Sequence, residues 1–192
     1  MASKISICSN AGLLLGQDPI SDLSETSDKA TLAFNLYDYV RDSVIRANNW
    51  ACCIKRVVLS PDTAEPVFGS YAYQYTLPGD WLKVLSITSD QTVIDHVIEG
   101  QKILANVSTV NLRYVFRNVD EASYDAGLVD VMTAAMAAAI CQATTSSEGL
   151  MDRMQQSYML KLRQHRSADS SQGTKTPFLD SPLMRAHSIG QS

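Results

Sequence analysis

The sequence predicts an α+β fold. It reads as mainly an α-helical bundle of about four helices, with a small antiparallel β region inserted and an extended C-terminal tail. Three observations predict this. Apolar residues recur at helical spacing in two blocks, before residue 47 and after residue 123. Between them, over about 53–117, the period shortens to two and turn residues punctuate it. Beyond residue 167, Ser, Gly, Thr and Pro replace any regular period. The expected division is a folded domain over 1–167 and a tail over 168–192.

The first helix is predicted over about 3–15. Ser3 is its N-cap, Ile7, Ala11 and Leu14 form its apolar face, and Gly16 ends it in a left-handed cap. Asp18-Pro19 then forces an extended turn. The second helix runs over about 25–47, opened by Ser24 or Thr26 with Glu25 and Asp28 near its positive end. Its stripe is Ala33, Leu36 or Tyr37, Val40 and Val44, while Arg41, Asp42 and Arg46 are expected to face water. Trp50 follows and is expected to pack under the helix.

Strands are expected at Ile54 to Leu59, at Tyr71 to Tyr75, at Trp81 to Thr88, at Val93 to Glu99, at Ile103 to Ala105 and at Val110 to Phe116. Leu77-Pro78-Gly79-Asp80 and Glu99-Gly100 read as turns. Helix returns over about 123–144, with Leu128, Val131 or Met132, Ala135 and Ala139 buried. Its many alanines keep it thin, so neighbours can approach closely. A last helix over about 147–167 is capped by Ser146 or Ser147. Leu150 or Met151, Met154, Tyr158 and Leu162 form its stripe; Arg153, Lys161, Arg163 and Arg166 form its outer face. In the tail, Pro177-Phe178-Leu179-Asp180 and Pro182-Leu183-Met184-Arg185 set apolar residues among prolines, a pattern of segments that order on a partner. Extended, that tail would reach up to ~80 Å.

The 192 residues are 45% hydrophobic, enough for one buried core. No apolar run is expected to span a bilayer, and Met1-Ala2-Ser3-Lys4 makes a poor secretion signal. The chain is therefore expected to be made in a cytoplasm. Its net charge of −4 argues against gripping nucleic acid and suits a surface that DNA passes without sticking. Cys8, Cys52, Cys53 and Cys141 form no Cys-x-x-Cys pair and are expected to be reduced.

Catalytic chemistry is not legible. His96, His165 and His187 are dispersed, with no pair at metal-ligand spacing. No nucleophile elbow, phosphate loop or dinucleotide fingerprint appears. Neither catalytic residues, nor a metal, nor a cofactor is assigned. Asp18, Asp22, Glu25 and Asp28 cluster around a helix start, where a solvated capping turn outweighs a cation site roughly tenfold. Tyr71, Tyr73 and Tyr75 offer a stacking platform for bases or, better supported with so few cations nearby, a protein contact face.

One resemblance spans about residues 5–165. It is carried by the Gly16-Gln17-Asp18-Pro19-Ile20 turn, the Tyr37-Asp38 helix leading to Trp50, and Leu59-Ser60-Pro61. It continues through Tyr75-Thr76-Leu77-Pro78-Gly79-Asp80-Trp81-Leu82-Lys83-Val84, Glu99-Gly100 with Ile103-Leu104, Tyr114, Asp120, and the Ala-rich helix followed by Tyr158. In order and spacing this resembles the tail tubular protein A family, the head-to-tail adaptors of short-tailed bacteriophages.

The resemblance implies a non-enzymatic virion protein of the tail and neck. Members form a ring, commonly of twelve copies, between the portal and the tail nozzle (tail tubular protein B-like), with fibres or spikes docked nearby in some. DNA would pass through the channel without specific binding, and no membrane is involved. The tail residues Phe178, Leu179, Leu183, Met184 and Arg185 would then meet the portal. Arg41, Asp42, Arg46, Arg153, Lys161 and Arg163 would supply ring contacts, because a cyclic ring needs heterologous faces. Tyr71, Tyr73 and Tyr75 would meet the nozzle. Other classes remain open on the residues alone: a small cytoplasmic binding domain or enzyme with a site in the β region, a nucleic-acid binder, and an adaptor of a long-tailed phage.

Overall fold

The computed structural model describes residues 2–20, 22, 28–144 and 147–171. The fold is α+β, with four helices and a small antiparallel β region between the second and third. Helix α1 spans Lys4–Leu14 and α2 spans Asp28–Ala47. A 3-10 turn at Ala51–Cys53 leads into β1 (Ile54–Leu59), β2 (Tyr73–Thr76), β3 (Trp81–Ser89), β4 (Thr92–Val93), β5 (His96–Glu99), β6 (Lys102–Ala105) and β7 (Val110–Phe116). A second 3-10 turn, Glu121–Ser123, precedes α3 (Ala126–Thr144) and α4 (Glu148–Ser171).

The ends of α1 follow from its sequence. Ser3 and Ser6 exchange backbone-to-hydroxyl bonds of 3.1 and 2.9 Å in a capping box. At the other end Gly16 takes φ +71°. The Gln17 N–H donates to the Gly12 carbonyl and the Gly16 N–H to that of Leu13, a Schellman closure that a β-carbon at Gly16 would strain. The buried face is Ile7, Cys8 and Ala11, whereas Leu14, expected inside, is 50% exposed. Leu15, just past the helix, packs on the core in its place.

Helix α3 is central and packs against α1, α2 and α4. Leu128, Val131, Met132, Met136 and Ile140 are buried, and the alanines let three neighbours close in. It begins later than the sequence suggests, because Asp125 caps it: its Oδ1 accepts from the Leu128 N–H at 2.7 Å. The stretch from Glu121 is a separate 3-10 turn. By length and composition α3 also meets the measure of a membrane span, contrary to the expectation that no stretch would. Half of that window is buried inside the fold, as in a core helix. Helix α4 continues to Ser171, beyond the expected end at 167.

A methyl group added at Gly127 would lie 2.7 Å from His165 Nδ1, so the first turn of α3 touches α4 directly. His165 is held on its far side, with Nε2 3.4 Å from Asp130 Oδ2 and its ring 6.3 Å from that of Trp50. Trp50 itself is buried as expected and donates from Nε1 to the Val44 carbonyl at 3.1 Å.

The β region is two sheets. One has the order β1-β7-β3-β4, the other β2-β6-β5. The expected strand from Val93 to Glu99 is divided between them: Thr92–Val93 pairs with β3, and His96–Glu99 pairs with β6. The β3–β4 turn uses Asp90 and Gln91, both at positive φ (47° and 65°). Tyr75, Leu77, Ile87, Ile103, Val110 and Leu112 form a second core. The first core joins the helices to the sheet through Leu82 and Val115. Leu82 and Leu85 each fall at a register shift between β3 and β7, where one extra residue sits on β3. Both bulged leucines turn toward the helices and pack on the first core.

The chain passes between helices and sheets twice, and Asn118 ties the passages together. It is 4% exposed. Its Nδ2 donates to the Cys52 carbonyl (2.9 Å) and Ser123 Oγ (2.8 Å), and its Oδ1 accepts from the Asp120 N–H (3.1 Å). Its own carbonyl accepts from the Tyr124 hydroxyl at 2.7 Å.

Two outcomes are expected. Asn118→Ala should cost about 2–3 kcal/mol, because it strands buried polar groups; a lower urea midpoint at unchanged slope would record it. Gly127→Ala should destabilise the wild type by about 1–2 kcal/mol through overpacking. In a His165→Ala background the same change should stabilise, by up to about 1 kcal/mol of helix propensity. Thermal melts of the four proteins read the change of sign.

Candidate functional site

The residues expected at a ring interface fall into two groups. Arg41 does not face water; it is 7% exposed. Its Nη1 donates to Asp38 Oδ1 at 2.8 Å, and its Nε and Nη2 donate to Asp42 Oδ1 at 3.0 and 2.9 Å. Asp42 Oδ2 also accepts from Arg117 Nε at 2.7 Å. Arg41 and Asp42 therefore fasten α2 to the segment after β7, because a guanidinium is buried only where carboxylates compensate it. Burial works against the Arg41 charge, but Asp42 and Asp38 outweigh it and raise its pKa.

Arg46 is exposed, yet its guanidinium donates to the Leu82 carbonyl and pins the first bulge. Lys161 bridges α4 to α3 through Asp130 Oδ1 at 2.6 Å. Arg153 and Arg163 are exposed on α4, and Arg163 shares a shallow surface hollow with Met159 and Leu160.

The three tyrosines do not share one exposed face. Tyr75 is fully buried, and its hydroxyl donates to the Val107 carbonyl. Tyr73 is partly exposed at the start of β2. Tyr71 precedes the strand, with its hydroxyl 3.4 Å from Asp95 Oδ2. The strand begins two residues later than its alternation suggests, so only one of the three rings fills the core.

Phe178, Leu179, Leu183, Met184 and Arg185 lie outside the described residues, as do Ser24, Glu25, Thr26, Ser146 and His187. Asp18 and Asp22 are exposed, and Asp28 stands in the first turn of α2. Among the described residues no group of three His, Cys, Asp or Glu side chains is placed to hold a metal ion. Cys52 and Cys53 lie in the 3-10 turn, not on opposite faces of a strand, with sulfurs 3.8 Å apart. Burial pushes the Cys8 thiol up to about 12. The Cys53 thiol is pushed up as well, by its bond with Cys52 and by burial.

Asp80 closes the β2–β3 turn. It accepts from Lys55 Nζ at 2.8 Å and from the Tyr114 hydroxyl at 3.0 Å. Burial would raise its pKa, but these two donors outweigh it and hold the carboxyl below its usual 3.8. Burial, together with its bond to Asp80, lifts the Tyr114 hydroxyl to about 12.

Two surface features of the β region were not read from the sequence. The sheet β1-β7-β3 has one face on the second core. Its other face is covered by the helices only near Val115. Past that point Arg56 lies directly opposite Arg113, Val58 opposite Asn111, and Ser86 and Thr88 alongside on β3. They line an open groove of about 550 Å³. The second feature is the β1–β2 loop, where Val67 and Phe68 are 97% and 89% exposed. The arginines escaped notice because only the register of two strands distant in sequence brings them together.

No family model matches this chain, and no curated protein compared with it matches either.

The Asp80 bonds have a pH signature. A depressed folded pKa means stability that is present above 3.8 and lost as pH falls through the folded value. Asp80→Asn should therefore flatten the acid limb of the stability curve while lowering stability near neutrality. Urea titrations from about pH 7 down to about pH 2.5 measure both.

Proposed function

We propose that this chain is a structural adaptor of a bacteriophage virion. Copies associate head-to-tail into a ring, commonly twelve in such adaptors, seated between portal and tail nozzle and continuing the DNA channel. The observation that carries this reading is the amount of large apolar side chain left at the surface. Tyr39, Val58, Val67, Phe68, Val93, Val119 and Leu160 are each more than half exposed. Scattered singly such side chains are ordinary, but the adjacent pair Val67 and Phe68, almost wholly exposed at one loop tip, suits a contact with another protein. The ordered resemblance over residues 5–165 supports the same reading. Its residues fall at junctions of the fold, among them the Gly16 cap, buried Tyr37 and Trp50, and the Tyr114–Asp80 bond.

The observed surface changes which residues belong to the proposal. Arg41 and Asp42 serve the subunit's own fold, so the ring contacts draw on exposed groups, Arg153 and Arg163 among the charged ones. The net charge of −4 keeps packaged DNA from adhering to the channel wall. The segment after Ser171, with Phe178, Leu179, Leu183, Met184 and Arg185, is assigned to the portal. There it adds area in many copies at once.

Electron microscopy of the protein mixed with a portal from its own phage is the direct test. Closed rings stacked on the portal are expected, and their absence overturns the reading. Truncation after Ser171 removes none of the described elements. The truncated protein should melt within about 2 °C of the full chain, an effect well under about 1 kcal/mol, and should fail to join portals.

A further inference from the structure

The β1–β2 loop is tied down at both ends and bare at its tip. At its start the Asp62 N–H donates to the Gln74 carbonyl at 2.8 Å. The Asp62 carboxylate accepts from Lys102 Nζ at 2.6 Å and from Thr76 Oγ1 at 3.0 Å. At its end the Ala72 N–H donates to Asn106 Oδ1 at 2.7 Å. Between these anchors Val67 and Phe68 stand almost wholly in water, and Gly69 at φ +113° turns the chain back. Anchored ends lower the entropy lost when such a tip docks. Glu65, three residues before Phe68, is exposed and has no cationic partner among the described residues.

The groove on the sheet has complementary needs. Arg56 and Arg113 are direct cross-strand neighbours, an arrangement that costs stability when nothing anionic lies between them. Among the described residues no carboxylate forms an ion pair with either. Val58, 65% exposed, gives the groove an apolar wall. Arginine pairs flanked by hydroxyl and amide groups suit a carboxylate held by several donors.

We propose that the 65–68 tip of one copy seats in this groove on the next copy, with Phe68 against Val58 and the Glu65 carboxylate between Arg56 and Arg113. Tip and groove are different patches, so the contact is heterologous and propagates from copy to copy. The inference rests on the head-to-tail association proposed above and assigns it a surface. A single aromatic anchor buries only about 150–250 Å². That is well short of the ~800 Å² per partner of a stable complex. The free chain therefore associates weakly, with a dissociation constant on the order of 0.1–1 mM, and closure of a ring supplies the rest.

Sedimentation over a concentration series tests this with Phe68→Asp, which spoils the tip, and Arg113→Glu, which spoils the groove. The wild type should grow in mass with concentration, and each variant alone should stay monomeric. An equal mixture should form one-to-one pairs and nothing larger, because one variant keeps its groove and the other its tip. Both positions are exposed, so unchanged melting curves confirm folding. As a second arm, Glu65→Arg combined with Arg113→Glu should associate at least tenfold more tightly than either single variant.

A wild type that stays monomeric throughout overturns the inference, and so does a single variant that assembles like the wild type. Salt-sensitive binding of a short single-stranded DNA that is lost in Arg113→Glu, with no pairing in the mixture, also overturns it, in favour of a phosphate ligand. Rings that form on portals despite both variants would sink this surface and leave the adaptor reading standing. Pairing in the mixture without any rings would do the reverse.

Discussion

One buried amide, that of Asn118, fastens the corner at which helices and sheets meet. Asn118 sits where the chain leaves the last strand, and it bonds to the turn through which the chain entered the first. An amide has few ways to be satisfied out of water, and here its donors and its acceptor oxygen are all engaged. Its backbone carbonyl takes the Tyr124 hydroxyl as well. The strain-free alternative, exposing Asn118, would open the corner and uncover Cys53 and Tyr124 from the first core. The Arg41–Asp42–Arg117 chain of ion pairs lies over the same corner and links α2 to it. Buried Arg41 and Asn118 both lie where helices meet sheet, beside the first apolar core.

Strand β7 carries those cores in common. Val110, Leu112 and Tyr114 face the second core, and Val115 faces the helices. Strand β3 does the same by another route. Its alternation alone would leave the helices short of apolar contact, and the two bulges at Leu82 and Leu85 supply it. The Arg46 guanidinium on the Leu82 carbonyl fixes the first of them, since a bulge leaves ladder groups unpaired. A helix-surface arginine is thereby recruited to sheet geometry.

The periods of the sequence carried the four helices, the change to strands after Cys53 and the caps at Ser3 and Gly16, because each depends on residues within a few positions. What they did not carry depends on register or on tertiary position. Arg41 has the spacing of a solvated face, and only Asp38 and Asp42 beside it make its burial possible. Leu14 fits the stripe of α1, but Leu15 took the inner place once the Schellman closure turned the chain. Val93 and His96 read as one strand because alternation says nothing about which sheet a residue joins. The groove lined by Arg56 and Arg113 was invisible for the same reason, as the partners are 57 positions apart in register. The residues proposed to meet a portal lie beyond the described structure, and that reading rests on the resemblance alone.

The pairing of Ile54 with Val115 has a further meaning. The first and last strands of the insertion are hydrogen-bonded neighbours, so the lobe hangs from the bundle by a doorway about 5 Å wide. Material can be added or trimmed at the far end, two residues per strand at a time, without the helices registering any change in where the chain departs and returns. Such a lobe is free to be reshaped at its far end while the bundle keeps its own packing.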